Sequence, residues 1–126
     1  MPIQHIVLFD GNERNNLLPL TATRAVADIR IGILTIKEKW EKQLNVKVDI
    51  LTQEYLQAKY TYEQKKNTVF INASVLPTTK LKEEILTLEE ETTLICQEVT
   101  IAFRTNQPVS TIHDFSELFN QFHFQI

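Results

Sequence analysis

Short unbroken apolar runs alternate along this chain with segments whose apolar residues recur every three or four positions. Ile6-Val7-Leu8-Phe9 is continuous, β-branched in part, and ended by Asp10-Gly11-Asn12. A run of that length predicts a strand buried on both faces. Ile29, Ile33, Ile36, Trp40 and Leu44 fall on one face at helical spacing, opposite Lys37, Glu38, Glu41 and Lys42, so a helix is predicted over 29–44. Asn45 is placed to cap its C-terminus. Residues 46–51 alternate Val46, Val48 and Ile50 with Lys47 and Asp49 and read as a second strand. Thr52 is placed to cap a short helix carrying Tyr55, Leu56 and Ala58. The polar stretch 60–67 reads as loop, and Thr68-Val69-Phe70-Ile71-Asn72 as a third strand.

Pro77 and Thr79 open a further helix with Leu81, Ile85 and Leu88 on one face. Glu89-Glu90-Glu91 reads as a solvated turn. Residues 93–96 and 99–103 predict two strands joined at Gln97-Glu98, antiparallel to each other, set at a sheet edge or apart as a flap. Asp114-Phe115-Ser116-Glu117 has the spacing of a capping box. The alternation of strand and helix predicts an α/β, Rossmann-like fold with a mostly parallel sheet, flanking helices and a late antiparallel pair. No repeat or linker divides residues 1–126, so one domain is expected. Phe122, Phe124 and Ile126 alternate like a strand that needs a neighbour. Either the chain is cut from something longer, or this tail docks onto its own domain.

Composition narrows the function. The 126 residues are 43% hydrophobic, enough for a core, and the formal net charge is −3. That balance forces no basic face and argues against nucleic acid as a partner. The lysines at 37, 39 and 42 are interleaved with Glu38 and Glu41, as on a solvated helix face. Cys96 is the single cysteine, which excludes an intramolecular disulfide and a cysteine-rich metal site, and its apolar neighbours suggest a buried thiol. The three histidines are scattered. No apolar run is long enough to span a bilayer, and the first residues lack the pattern of a secretory leader, so no membrane partner and a cytoplasmic location are expected.

In a parallel α/β sheet, ligands collect beyond the carboxyl ends of the strands, where strand order reverses. The segment 10–30 leaves the first strand there, carrying Asp10, Arg14, Thr21, Thr23, Arg24, Asp28 and Arg30. Backbone amides at the start of the following helix could hold an anion, with Arg24 or Arg30 adding charge. The plainer alternative is that Arg24, Asp28 and Arg30 form surface ion pairs around the helix start. Trp40 and the Phe-rich tail are expected to pack in the core rather than at an interface. A phosphoacceptor receiver domain is set aside because the third strand ends in Asn72 rather than Asp.

Leu17-Leu18-Pro19-Leu20-Thr21-Ala22-Thr23-Arg24 resembles the signature of the sugar nucleotidyltransferases, in which a Gly-rich loop runs into an Arg-Leu-x-Pro-Leu-Thr stretch. The continuation through Trp40 is similar to a bacterial branch whose members carry a left-handed β-helix after this domain. The strong similarity covers residues 6–40, and a weaker one runs through Ile71-Asn72-Ala73-Ser74-Val75-Leu76-Pro77. The resemblance implies the N-terminal part of a nucleotidyltransferase domain. It implies nucleoside triphosphate and sugar-1-phosphate as substrates and Mg²⁺ as cofactor, the metal's ligands being unidentified. Asp10, Gly11, Arg14, Thr21 and Arg30 are then expected to bind substrate, and Arg24 to act in catalysis.

This chain departs from the pattern. A single Gly11 stands where the family places several glycines, and Glu13 adds negative charge to the loop. Asn16 occupies the signature arginine position, and Val26 falls near the family's lysine. Arg24 or Arg14 is the available substitute cation. Two readings follow: a nucleotide-binding part of such an enzyme, or a non-catalytic descendant of the fold that binds a partner or supports assembly, with a homo-oligomer open in either case.

Overall fold

The computed structural model describes residues 5–10, 24–63, 67–96, 99–106, 109 and 111–112. Its centre is the first apolar run. His5–Phe9 form β1, buried at all five positions, because sheet neighbours flank both edges and apolar layers cover both faces. β1 pairs in parallel with β4 (Asp49–Leu51) on one side and with β5 (Thr68–Asn72) on the other. Beyond β5 lie β7 (Val99–Thr105) and then β6 (Thr92–Cys96), both pairings antiparallel. The order is β4-β1-β5-β7-β6. The late pair therefore extends the main sheet instead of forming a separate flap.

Alternation along the strands splits the core into two layers. Ile6, Leu8, Ile50, Val69 and Ile71 face one way, under α1 (Ile36–Leu44) and α3 (Thr79–Leu86). Those helices contribute Ile36, Trp40 and Ile85. Trp40 is fully buried, and its indole N–H donates to Val75 O at 2.8 Å. A buried tryptophan removes about 150–250 Å² from water, so this residue anchors α1 to the sheet, as expected of it. Val7, Phe9, Leu51, Phe70 and Phe103 face the other way, packed with Val109, Tyr62 and Ile112.

The helix predicted from residue 29 starts only at Ile36. Val26–Asp28 form a single 3-10 turn, and Arg30–Ile31 (β2) with Leu34–Thr35 (β3) make a small antiparallel hairpin. Gly32 turns this hairpin at φ 78, a left-handed conformation that an L side chain adopts only under strain. The helix then opens at a capping box: Thr35 Oγ1 accepts from Glu38 N at 3.1 Å, and Glu38 accepts from Thr35 N at 2.9 Å. Ile33, read as core by its spacing, is 86% exposed at the turn. Asn45 does cap α1, in the left-handed region at φ 58 and ψ 37.

Other boundaries moved less. The second strand is confined to Asp49–Leu51, since Val46 is exposed and Val48 gives its N–H to Glu41 Oε2. α2 (Glu54–Gln57) is capped at Gln53, not Thr52. Glu91 is more than solvated: its carboxylate accepts from Thr105 Oγ1 and Asn106 N and pins the turn before β6 to the end of β7. The capping box at 114–117, the tail at 122–126 and the Cys96 side chain lie outside the described residues.

Candidate functional site

The chain leaves β1 at Asp10, whose N–H donates to Leu51 O at 3.0 Å and so stays beside β4. The Asp10 side chain is only 4% exposed. Its Oδ2 accepts from the Thr52 hydroxyl at 2.6 Å and its Oδ1 from the Val26 N–H at 3.1 Å. A buried carboxylate needs such donors, because an unpaired charge out of water is costly. The neighbouring amide is held in the same way: Tyr60 Oη accepts from Ala25 N at 3.0 Å and donates to Asp28 Oδ2 at 2.9 Å. Burial, with the Asp28 carboxylate at its hydroxyl, pushes the Tyr60 phenol above its usual 10.0, against the Ala25 N–H, which lowers it. Ala25 and Val26 are themselves fully buried. Two consecutive residues are thus fastened, Ala25 to Tyr60 and Val26 to Asp10 at the carboxyl end of β1.

The opposite wall is the carboxyl end of β5. Ala73 N donates to Phe9 O at 3.0 Å and holds this turn against β1. Asn72 Oδ1 accepts from Ser74 N, while Asn72 Nδ2 donates to Thr100 O on β7, both at 2.9 Å. The Ser74 hydroxyl is buried without a hydrogen-bond partner among the described residues. After β1 the chain proceeds to β4, and after β5 it proceeds toward β7 on the far side, so strand order reverses between β1 and β5. A crevice beyond these two strand ends is the usual ligand position in an open α/β sheet.

The sequence-chosen residues fare differently there. Asp10 stands at the carboxyl end of β1 but turns its carboxylate to Val26 and Thr52. Arg24 directly precedes the fastened pair, is exposed, lies near enough to Tyr60 for its charge to act on the phenol, and makes no hydrogen bond or ion pair among the described residues. Arg30 is exposed but folds back, Nη1 donating to Ile33 O at 2.7 Å, and so stiffens the hairpin. No ion pair links Arg24, Asp28 and Arg30 among the described residues, so the surface-pair alternative is not what these side chains form. The helix start expected to offer amides to an anion lies at Ile36, where Thr35 Oγ1 takes the Glu38 N–H, and the amides of Ala25 and Val26 ahead of it are taken by Tyr60 and Asp10. Gly11, Arg14 and Thr21 lie outside the described residues.

Sequence reading missed Tyr60, Ser74 and the use made of Thr52. Tyr60 sits in a stretch read as plain loop, 35 residues from the amide it caps, and no local pattern marks it. Among the described residues, no group of three histidine, cysteine or acidic side chains gathers to hold a metal, and no helix is long and apolar enough to cross a membrane. With Asp10 and Asp28 already accepting hydrogen bonds, these residues do not make a protein cage for Mg²⁺.

No match was found among curated proteins or among solved structures. A family model described as sugar nucleotidyl transferase matches residues 6–123, nearly the whole chain. With that match and an α/β sheet whose strand order reverses between β1 and β5, the chain belongs to the sugar nucleotidyl transferase family.

Proposed function

We propose that this domain binds a nucleoside triphosphate over the carboxyl ends of β1 and β5, as the nucleotide-facing part of a sugar nucleotidyltransferase. In that reaction an oxygen of a sugar-1-phosphate attacks the α-phosphate in line, and pyrophosphate leaves. Such transfers depend on positioning and on neutralising charge. The observation that carries the reading is Arg24, an exposed arginine with no hydrogen bond or ion pair among the described residues, next in sequence to the two amides that Tyr60 and Asp10 hold. A guanidinium suits bidentate contact with a phosphate. Asp10 then serves as a positioning residue, and the Ser74 hydroxyl is a second group left to meet a ligand. Gly11, Arg14, Thr21 and Arg30 remain the proposed contacts along the rest of the loop and hairpin.

Mg²⁺ belongs to this proposal as part of the nucleotide complex, because the ion is commonly held by substrate phosphates and water with few carboxylates. The same reading puts the protein in the cytoplasm, where nucleoside triphosphates are at hand. A second reading rests on the occupied amides: with Ala25 and Val26 turned to protein partners, the domain is a binding or assembly module without transfer activity.

A panel of nucleoside triphosphates with Mg²⁺, read by thermal shift on the native chain and on Arg24→Ala, separates the two. Ligand that binds only the folded state raises the melting temperature, by about 2.7 kcal/mol of stabilisation at 100 times Kd. One nucleotide giving a shift that Arg24→Ala loses supports the nucleotide site and calls for an assay of pyrophosphate release with sugar-1-phosphates. No shift with any nucleotide overturns it in favour of the module.

A further inference from the structure

Arg24 is the side chain on which the proposed nucleotide site depends, and its backbone is held by a residue 35 positions past Ala25. The Ala25 N–H belongs to the same rigid peptide plane as the Arg24 carbonyl. Whatever holds that N–H therefore fixes the plane attached to the Arg24 Cα. The holder is Tyr60, whose Oη accepts from Ala25 N at 3.0 Å. Asp10 holds the following plane through Val26 N. With both planes fixed, the Arg24 side chain leaves the backbone from a set position, and Tyr60 acts one residue nearer to it than Asp10 does.

Tyr60 is itself firmly placed. Its ring packs against the core cluster that α1 and α3 cover. Its N–H donates to Gln57 O at 3.0 Å, and the Gln57 side-chain amide donates to Ile50 O at 2.8 Å, which ties this turn to β4. The hydroxyl is also aimed. A phenol has one proton to give, and Asp28 Oδ2 takes it at 2.9 Å, so a lone pair is left for the Ala25 N–H. Asp28 thus orients Tyr60, and Tyr60 orients the peptide at Arg24. Charge links the two side chains as well: burial raises the Tyr60 phenol above its usual 10.0, and the Arg24 cation opposes that rise.

We propose that Tyr60 is a positioning residue for the phosphate contact: through the Ala25 N–H, with Asp28 aiming its hydroxyl, it holds Arg24 where the guanidinium meets a nucleoside triphosphate. This inference rests on the proposed function. A guanidinium whose root is fixed before binding gives up less freedom when it closes on a phosphate, and the saving appears as affinity. Loss of the Tyr60 hydroxyl therefore weakens binding although no group that touches the ligand is removed.

The test is a double-mutant cycle on the 126-residue chain. Titration calorimetry gives Kd for ATP, CTP, GTP and UTP, each with Mg²⁺, well below the melting temperature of every variant. Arg24→Ala is expected to raise the Kd of a nucleotide that binds by about 10- to 100-fold. Tyr60→Phe is expected to raise it by about 3- to 10-fold in the native background. Once residue 24 is Ala the same change should matter by less than about 2-fold, because a misplaced root counts only while the guanidinium is present. Phe103→Leu, a core change in the layer on the other face of the sheet, lowers stability and should leave Kd as it was. An alkaline absorbance titration, taken as the difference between native protein and Tyr60→Phe, adds a readout that a structural role would not move. Bound nucleotide neutralises Arg24 and is expected to shift the Tyr60 ionisation to higher pH. A native chain that binds none of the four nucleotides refutes the proposed function and this inference together. Binding that Arg24→Ala weakens and Tyr60→Phe leaves intact overturns the inference alone. So does a Tyr60→Phe loss that persists in full without Arg24, or an equal loss in Phe103→Leu.

Discussion

Tyr60→Phe removes one oxygen and tests how the crevice is built. The ring stays, so no cavity opens, but Ala25 N–H loses its acceptor and Asp28 loses its donor. Ala25 is fully buried, and water does not readily replace the lost partner. An orphaned buried donor costs about 1–3 kcal/mol. A 126-residue chain unfolds with an entropy near 0.26 kcal/mol/K at about 2.1 cal/mol/K per residue. The melting temperature should therefore fall by about 4–11 °C, measured by calorimetry or circular dichroism near neutral pH. The pH dependence adds a second reading. Burial raises the phenol above 10.0, so the folded state favours its neutral form. That contribution is complete below 10.0 and fades as pH climbs through the raised value. The gap between native protein and variant should narrow in that alkaline range. A fall of less than about 2 °C at neutral pH, half the smallest expected loss, would refute the view that Tyr60 holds this segment.

Two further outcomes follow from side chains at other places in the fold. Arg104 is buried and donates to Asn67 Oδ1 at 2.8 and 3.2 Å and to Leu88 O at 2.6 Å; Arg104→Ala should lower the unfolding free energy by about 3 kcal/mol or more in a denaturant titration, and a loss under about 1 kcal/mol would contradict the assignment. Glu38 is held below its usual 4.5 first by the Thr35 N–H and then by the Thr35 hydroxyl, with the nearby Arg30 and Lys37 charges adding to this. Its stabilising contribution is present above 4.5 and is lost as pH falls through the lowered folded value, so the melting-temperature difference between native protein and Glu38→Ala should shrink in acid. A difference that stays constant across that range would count against the capping box as the start of α1.

What the sequence revealed tracks the range of the interactions involved. Strands β1 and β5 were legible because continuous apolar runs have few other uses, and their boundaries fall close to those runs. Helix α1 was legible as a helix but not at its start. Ile29, Ile36 and Trp40 are all buried, as the spacing required, yet the chain between them doubles back at Gly32. The Thr35-x-x-Glu38 box was the local signal for the true start, and the longer periodicity obscured it. The crevice was legible only as a place. Its fastening joins Asp10 to Thr52 across 42 residues and Tyr60 to Ala25 across 35, and no local pattern encodes a partner that far away. Thr52 therefore read as a helix cap, although its hydroxyl goes to Asp10.

On the proposed function, those long-range bonds bear on which charge would meet a phosphate. A hydrogen bond to an ionised group contributes about 1.5–3 kcal/mol, so freeing Asp10 from Val26 and Thr52 would cost about 3–6 kcal/mol. Micromolar nucleotide binding amounts in total to about 8 kcal/mol. Recruiting Asp10 to a metal would consume roughly half of that or more. It would also loosen the segment that carries Arg24. Left in place, the Asp10 carboxylate accepts from Val26 N–H and the Thr52 hydroxyl, and Arg24 is an exposed charge next to the Ala25–Val26 pair. In the proposed site, the division of labour that costs less keeps the carboxylate on the architecture and would give the phosphate to the guanidinium. On that division Asp10→Asn, which can still accept from Val26 N–H, should weaken nucleotide binding far less than Arg24→Ala.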